Sequence, residues 1–147
     1  MAAIVLKTKE EIELMRESAL IVSKTLGMLA AEIKLGITTL KLDKLAEAFI
    51  RDHKAEPGFL GLYDFPNTLC MSPNAQVVHG IPNDTPLKEG DIISIDCGAL
   101  KNGFYGDHAY TFAVGEIEEE TQKLFHVDPA NVSSIIVNES RGKEPEE

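Results

Sequence analysis

At 147 residues, with 44% apolar residues and no tryptophan, the chain is sized for one domain, or one lobe of a larger one, around a modest core. A count of 24 Asp and Glu against 14 Lys and Arg gives a net charge of −10. That disfavours a duplex nucleic-acid binder, because phosphates need clustered cations. No run approaches the roughly 20 apolar residues of a membrane span. The opening Met-Ala-Ala-Ile-Val-Leu-Lys is too short an apolar run for a signal peptide. Cys70 and Cys97 suggest neither a disulfide framework nor a zinc knuckle, so the expectation is a soluble, cytoplasmic protein.

Thr8 followed by Glu11 is a capping-box pattern that marks a helix start. Ile12, Met15, Ala19, Val22, Leu26, Leu29 and Ile33 then fall on one helical stripe, and Gly36 supplies the stop. A second helix is predicted from Thr38 or Thr39, with Leu42, Leu45, Phe49 and Ile50 facing inward, fading before Pro57-Gly58. Residues 59–66 form a loop rich in aromatics. Short strands are predicted over 68–71 and again over 77–82, where the second runs into a turn.

A tight turn at Lys88-Glu89-Gly90-Asp91 precedes a β-rich segment over 92–100. Asn102-Gly103 is a two-residue hairpin signal, and a returning strand is expected over 104–114. A third helix is predicted from Glu116 to about Phe125. Beyond it, Asp128-Pro129 would interrupt a helix, and the charged end from Glu139 has a disordered composition. The expected organisation is an α+β lobe over 1–126 and a divergent tail over 127–147.

The hairpin carries two carboxylates. With Asn102 and Gly103 at the turn, Lys101 lies opposite Phe104, Gly98 opposite Asp107 and Asp96 opposite Ala109. Asp96 and Asp107 then share a face as diagonal neighbours, roughly 7–8 Å apart at the backbone, near enough to reach one cation or a pair. Two unpaired carboxylates on a largely apolar strand pair repel each other and resist burial, and a divalent cation removes both objections. Gly98 would leave room for the ion. The residues alone leave open the plainer alternative of two solvent-facing aspartates. His108, next to Asp107, points to the opposite face, while His53 and His126 sit near helix ends, where a solvated or capping role is expected. Asp84 and Asp91 suit turns, and Glu118 to Glu120 suit a helix N-terminus.

Four strings occur in a telling order: Val78-His79-Gly80-Ile81-Pro82, Leu87-Lys88-Glu89-Gly90-Asp91-Ile92, Ile95-Asp96-Cys97-Gly98-Ala99 and Gly103-Phe104-Tyr105-Gly106-Asp107. Together they closely resemble the signature of type I methionine aminopeptidases. The stretch from Lys7 to Arg16 resembles the opening of that family, as does Leu69-Cys70-Met71-Ser72-Pro73-Asn74, and the resemblance covers roughly residues 4–124.

The resemblance implies half of a pita-bread fold, whose two halves are related by approximate symmetry around a dinuclear metal site. It implies hydrolytic removal of the initiator methionine from nascent polypeptide N-termini, near the ribosome, when the next residue is small. Asp96 would ligate one metal and Asp107 would bridge both, while His79 would touch the substrate and stabilise charge developing at the scissile amide. Cys70, Phe59, Leu62 and Phe65 would wall the methionine pocket. The cofactor expected is two divalent cations, and cobalt, manganese, iron and zinc all suit such ligands.

The family site also takes a metal-binding histidine, a second substrate-contacting histidine and two glutamates, from motifs resembling Gly-His-Gly-Ile-Gly, Ile-Glu-Pro and Glu-His-Thr. None of these strings occurs in the 147 residues. The expectation is therefore a truncated chain lacking a C-terminal lobe and inactive alone, with apolar surface and a sheet edge left uncovered. Two alternatives stand beside it: a non-catalytic binding module of the same fold, or one lobe of a split enzyme that pairs with a second half or with itself.

Overall fold

The computed structural model describes residues 5–125. The chain divides into two compact units, Met1–Glu116 and Ile117–Glu147. The first holds helix α1 (Lys9–Glu32), helix α2 (Thr39–Asp52), and strands β1 (Glu56–Pro57), β2 (Leu69–Pro73), β3 (Ile92–Lys101) and β4 (Phe104–Ala113). The second contributes helix α3 (Glu119–Phe125), which starts three residues later than Glu116 and carries Glu119 and Glu120 in its first turn. The tail over 127–147 and His126 lie outside the described residues.

Helix α1 begins where the capping box places it. The Glu11 N–H donates to Thr8 Oγ1 at 3.2 Å, and the Thr8 N–H donates to Glu11 Oε2 at 2.8 Å. The buried stripe is narrower than the periodicity suggests: Ser18, Ile21, Val22, Thr25, Leu26 and Leu29 are covered, whereas Ile12, Met15 and Ala19 are exposed. For Ile12 and Met15 the cause is the length of the sheet beneath. Ser18 Oγ donates to the Phe104 carbonyl at 2.8 Å, and Asn102 Nδ2 donates to Glu17 at 3.2 Å, so the hairpin turn lies level with Glu17 and Ser18. The turns of α1 before that point overhang it. In α2, Leu42, Ala46 and Ile50 are fully buried, while Leu45 and Phe49 are only half-buried. His53 caps the helix, its Nδ1 lying 2.8 Å from the Phe49 carbonyl.

The sheet is antiparallel, with β3 at its centre. Strand β4 pairs along its whole length on one side, and β2 and β1 pair with successive stretches of the other. Ile93, Ile95, Cys97 and Ala99 form the covered face of β3, packed with Leu69 and Met71 against the apolar stripes of α1 and α2. Each fully buried Leu or Ile contributes roughly 1.5–3 kcal/mol. Alternation along β3 turns Ser94 and Asp96 to the other face.

The segment 77–82 is a loop and not a strand. His79 has φ 58°, a left-handed conformation that ends extended pairing, and Gly80 is clasped to β2 instead. The Met71 N–H donates to the Gly80 carbonyl at 2.8 Å, and the Gly80 N–H donates to Ser72 Oγ at 3.1 Å. Among the described residues no helix is long and apolar enough to cross a membrane.

Gly106 of β4 sets how closely α1 approaches the sheet. A Cβ there would stand 2.5 Å from both the Ala19 nitrogen and the Ser18 carbonyl carbon, backbone atoms that cannot swing aside. Gly106→Ala should therefore destabilise the protein by about 1–3 kcal/mol, read as a lower urea midpoint. An unchanged midpoint would mean that α1 is not seated on the hairpin.

Candidate metal centre and its pocket

The turn between β3 and β4 has φ 52° at Asn102 and φ 79° at Gly103, positive at both central residues as a type I′ turn requires. It fixes the register as Lys101 with Phe104, Gly98 with Asp107 and Asp96 with Ala109. Asp96 and Asp107 consequently stand on the same face, away from the core. His108 faces the other way and borders a groove against α1 with Tyr110 and Phe112.

The two carboxylates interact directly. Partial burial, then the charge of Asp107, then a hydrogen bond with it push the Asp96 pKa up to about 7, against a lowering by the Cys97 N–H. Asp96 therefore keeps its proton to a higher pH than an ordinary carboxyl does. Both cysteines are kept protonated. Burial, reinforced by the charges of Asp96 and Asp107, lifts Cys70 to about 11 and Cys97 to about 12. At neutral pH neither is a free thiolate nucleophile. Cys70, paired opposite Asp96, lines the pocket as a neutral thiol.

The loop between β1 and β2 supplies the rest of the wall. Its near end is tied to β3 by the Gly58 N–H, which donates to the Gly98 carbonyl at 2.8 Å. Its far end is tied to α2 through Asp43, which accepts from Asn67 Nδ2 at 2.9 Å and from the Thr68 and Leu69 N–H groups at 3.0 and 2.8 Å. Between the anchors the loop closes on itself, the Gly61 N–H donating to the Phe65 carbonyl at 2.8 Å. The space beside Gly98 holds the Phe59 ring, not room for an ion: a Cβ there would meet the ring at 2.6 Å. Glycine is needed for an aromatic approach.

These anchors enclose a cavity of about 390 Å³, lined by Phe59, Leu62, Tyr63, Phe65, Cys70, His79, Asp96 and Asp107. The structure thus brings together all seven residues singled out in the sequence. It adds Tyr63, whose signal was its place between Leu62 and Phe65 in the same glycine-bordered loop. The cavity is apolar along the loop and acidic at the hairpin, and the exposed His79 stands at its edge.

Half-buried Asp96 and exposed Asp107 offer the hard oxygen donors a divalent cation takes, so the pair fits such an ion. Among the described residues there is no cluster of three or more His, Cys, Asp or Glu that could hold a metal.

The fold is an α+β lobe that presents paired carboxylates beside an apolar side-chain pocket. The comparisons with known proteins give the family. Residues 13–127 match metallopeptidase family M24, and the chain belongs to that family. It is 52% identical over 124 residues to a methionine aminopeptidase of Clostridium perfringens, covering 84% of this chain and 50% of that relative. The crystal structure of methionine aminopeptidase from Thermotoga maritima superposes with a TM-score of 0.85 at 34% identity, over 90% of this chain and 53% of that one. That from Rickettsia prowazekii gives 0.81 at 36% identity, over 83% and 49%. The chain spans about half the length of the curated relatives it matches.

Two measurements test this geometry. Asp43→Ala removes three hydrogen bonds and strands the Thr68 and Leu69 N–H groups, so stability should fall by about 2–3 kcal/mol, with faster amide exchange at both residues. Unchanged exchange would show that Asp43 does not anchor the pocket wall. The second concerns pH. A carboxyl raised from 3.8 to about 7 is favoured while protonated, so its stabilisation is present below its unfolded value and is lost as pH rises through about 7. In EDTA the thermal midpoint should fall as pH rises from about 4 to 8, and Asp96→Asn should flatten that fall. Equal slopes would mean that the Asp96 carboxyl is not raised by its surroundings.

Proposed function

We propose that this chain is the N-terminal half of a methionine aminopeptidase, the half that binds the methionine side chain and part of the metal site. The observation that carries this is the single cavity joining Asp96 and Asp107 to the apolar wall of Phe59, Leu62, Phe65 and Cys70. Methionine is long, unbranched and apolar, and such a wall removes it from water. The named relatives are methionine aminopeptidases, which supports the substrate class. The substrates are then nascent polypeptide N-termini in the cytoplasm, with initiator methionine followed by a small residue.

The cofactor proposed is a pair of divalent cations, with manganese, iron, cobalt and zinc all compatible with carboxylate-rich ligation. Such a pair, when bound, supplies Lewis acidity at the scissile carbonyl and a nucleophile at neutral pH. Asp96 would help to hold one cation and Asp107 would help to hold both, each as a carboxylate. His79, at the pocket edge, would donate a hydrogen bond to the oxygen on which charge develops. The aromatic loop keeps the methionine side chain dry and so fixes the position of the amide that follows it. The remaining ligands would belong to the half of the relatives' length that these residues do not span. The retained carboxylate pair argues against a binding-only module, which has no use for it.

Two outcomes are expected of the 147-residue protein. Millimolar manganese should raise its thermal midpoint at neutral pH, and Asp107→Asn should abolish the rise. Release of methionine from a Met-Ala-Ser peptide should be undetectable with manganese or cobalt added. Activity of the pure chain would overturn the incomplete site, and a manganese response unaltered in Asp107→Asn would overturn the metal assignment.

A further inference from the structure

Tyr63 lines the cavity yet is 95% exposed, an aromatic side chain whose ring the fold leaves almost wholly in water. Its backbone is also costly. Tyr63 has φ 49° and ψ 39°, and Asp64 follows at φ 63°, two successive left-handed residues in a short 3₁₀ turn. A bulky residue in that region costs on the order of 1–2 kcal/mol. Neither packing of the ring nor glycine's freedom offsets it at Tyr63.

The other non-glycine residues with positive φ, among those described, sort themselves simply. Asn74 and Asn102 belong to a residue type that tolerates the conformation. Lys54 directly follows the cap of α2, where a left-handed residue commonly ends a helix. Tyr63 with Asp64, and His79, are left, and Tyr63 and His79 both line the same cavity. The unexplained backbone strain in the first unit thus borders this one site, and one of the strained residues is an aromatic ring with nothing against it.

We infer that Tyr63 is a specificity-determining residue: its ring closes the outer side of the apolar pocket over the occupant's side chain and selects for a long, unbranched one. This deepens the function proposed above and rests on the pocket receiving an apolar side chain. The left-handed backbone holds the ring at the rim and not in the core. The apolar area it keeps exposed is then buried only when a side chain long enough to reach it enters. A short side chain fills the inner pocket without touching the ring, so Tyr63 adds affinity for the long ligand alone.

The chain has three tyrosines, Tyr63, Tyr105 and Tyr110, so 3-fluorotyrosine labelling gives three fluorine resonances. The Tyr63 signal is assigned by its loss in Tyr63→Phe. Norleucinol, an amine with an unbranched apolar side chain and no amide to hydrolyse, is titrated into the full chain, with alaninol as the short control. Binding is followed in parallel at the Cys70 amide by nitrogen-15 spectra. Norleucinol should shift the Tyr63 resonance saturably and leave Tyr105 and Tyr110 in place. Tyr63→Phe should keep the affinity within about twofold, and Tyr63→Ala and Tyr63→Gly should each weaken it about tenfold. Alaninol binding should be the same in all four proteins. Tyr63→Gly, which relieves the strain, should also melt higher than Tyr63→Ala and so serves as the folding control.

If norleucinol binds wild type and Tyr63→Ala equally, Tyr63 has no such role while the pocket stands. If the Cys70 amide is unmoved by norleucinol in every protein, the pocket assignment fails and Tyr63 falls with it. If the Tyr63 resonance moves with protein concentration alone, another copy covers the ring, and that too overturns the inference.

Discussion

Everything at the site depends on the register of one hairpin. Asn102 and Gly103 adopt positive φ at both positions, which a type I′ turn demands and which few other residue pairs adopt cheaply. With the turn pinned there, every pair from Lys101–Phe104 outward is determined, and Asp96 and Asp107 emerge on the same face. A slip of one residue in β4 would exchange its two faces, sending Asp107 toward α1 and His108 toward the pocket. The turn is held in its own right: Asn102 donates to Glu17, and Ser18 donates to the carbonyl of Phe104. The helix that covers the core therefore also locks the hairpin that carries the acids.

The opposite face of the same sheet supplies the energy for this arrangement. Ile93, Ile95, Cys97 and Ala99 are fully covered, alternating with Ser94 and Asp96 on the other face. Hydrophobic burial on one side of β3 thus holds in place a charge arrangement on the other side that would not assemble by itself. Asp43 extends the same economy to the pocket wall. One buried carboxylate on α2, raised in pKa by burial and partly relieved by its three hydrogen bonds, ties the end of an eleven-residue loop to a rigid helix.

What was legible in the sequence is what local chemistry or strict alternation determines. Thr8 with Glu11 placed the start of α1, Asn102-Gly103 placed the turn, and counting outward from it paired the two aspartates correctly. The pocket residues came from the family resemblance, and the fold gathers them into one cavity. What was not legible depends on contacts distant in sequence. Periodicity cannot show that the sheet ends level with Ser18, so Ile12 and Met15 were counted as core although α1 overhangs the hairpin there. The pattern of 77–82 reads as a strand because its clasp to β2 uses a serine hydroxyl and a glycine whose close approach only the fold reveals. Gly98 suggested space for an ion, and the aromatic ring that fills the space comes from a loop some forty residues earlier.

A folded chain normally satisfies its local preferences, and the places where it does not are informative. Here three kinds of violation meet in one cavity: a carboxylate beside Asp96 that, with burial, raises its pKa, left-handed backbone at Tyr63 and His79, and an aromatic ring left in water. Their coincidence marks a constrained site, because an unconstrained surface would relax any one of them by rotating a side chain or exchanging a residue at little cost. A cation would relieve the first violation, and an apolar side chain against the rim would relieve the third. The metal pair and the methionine pocket proposed for this M24 lobe are thus two parts of one requirement. The free lobe carries unfavourable electrostatics and exposed apolar area where its ligands remove both, so binding energy is available at the reacting end of the substrate.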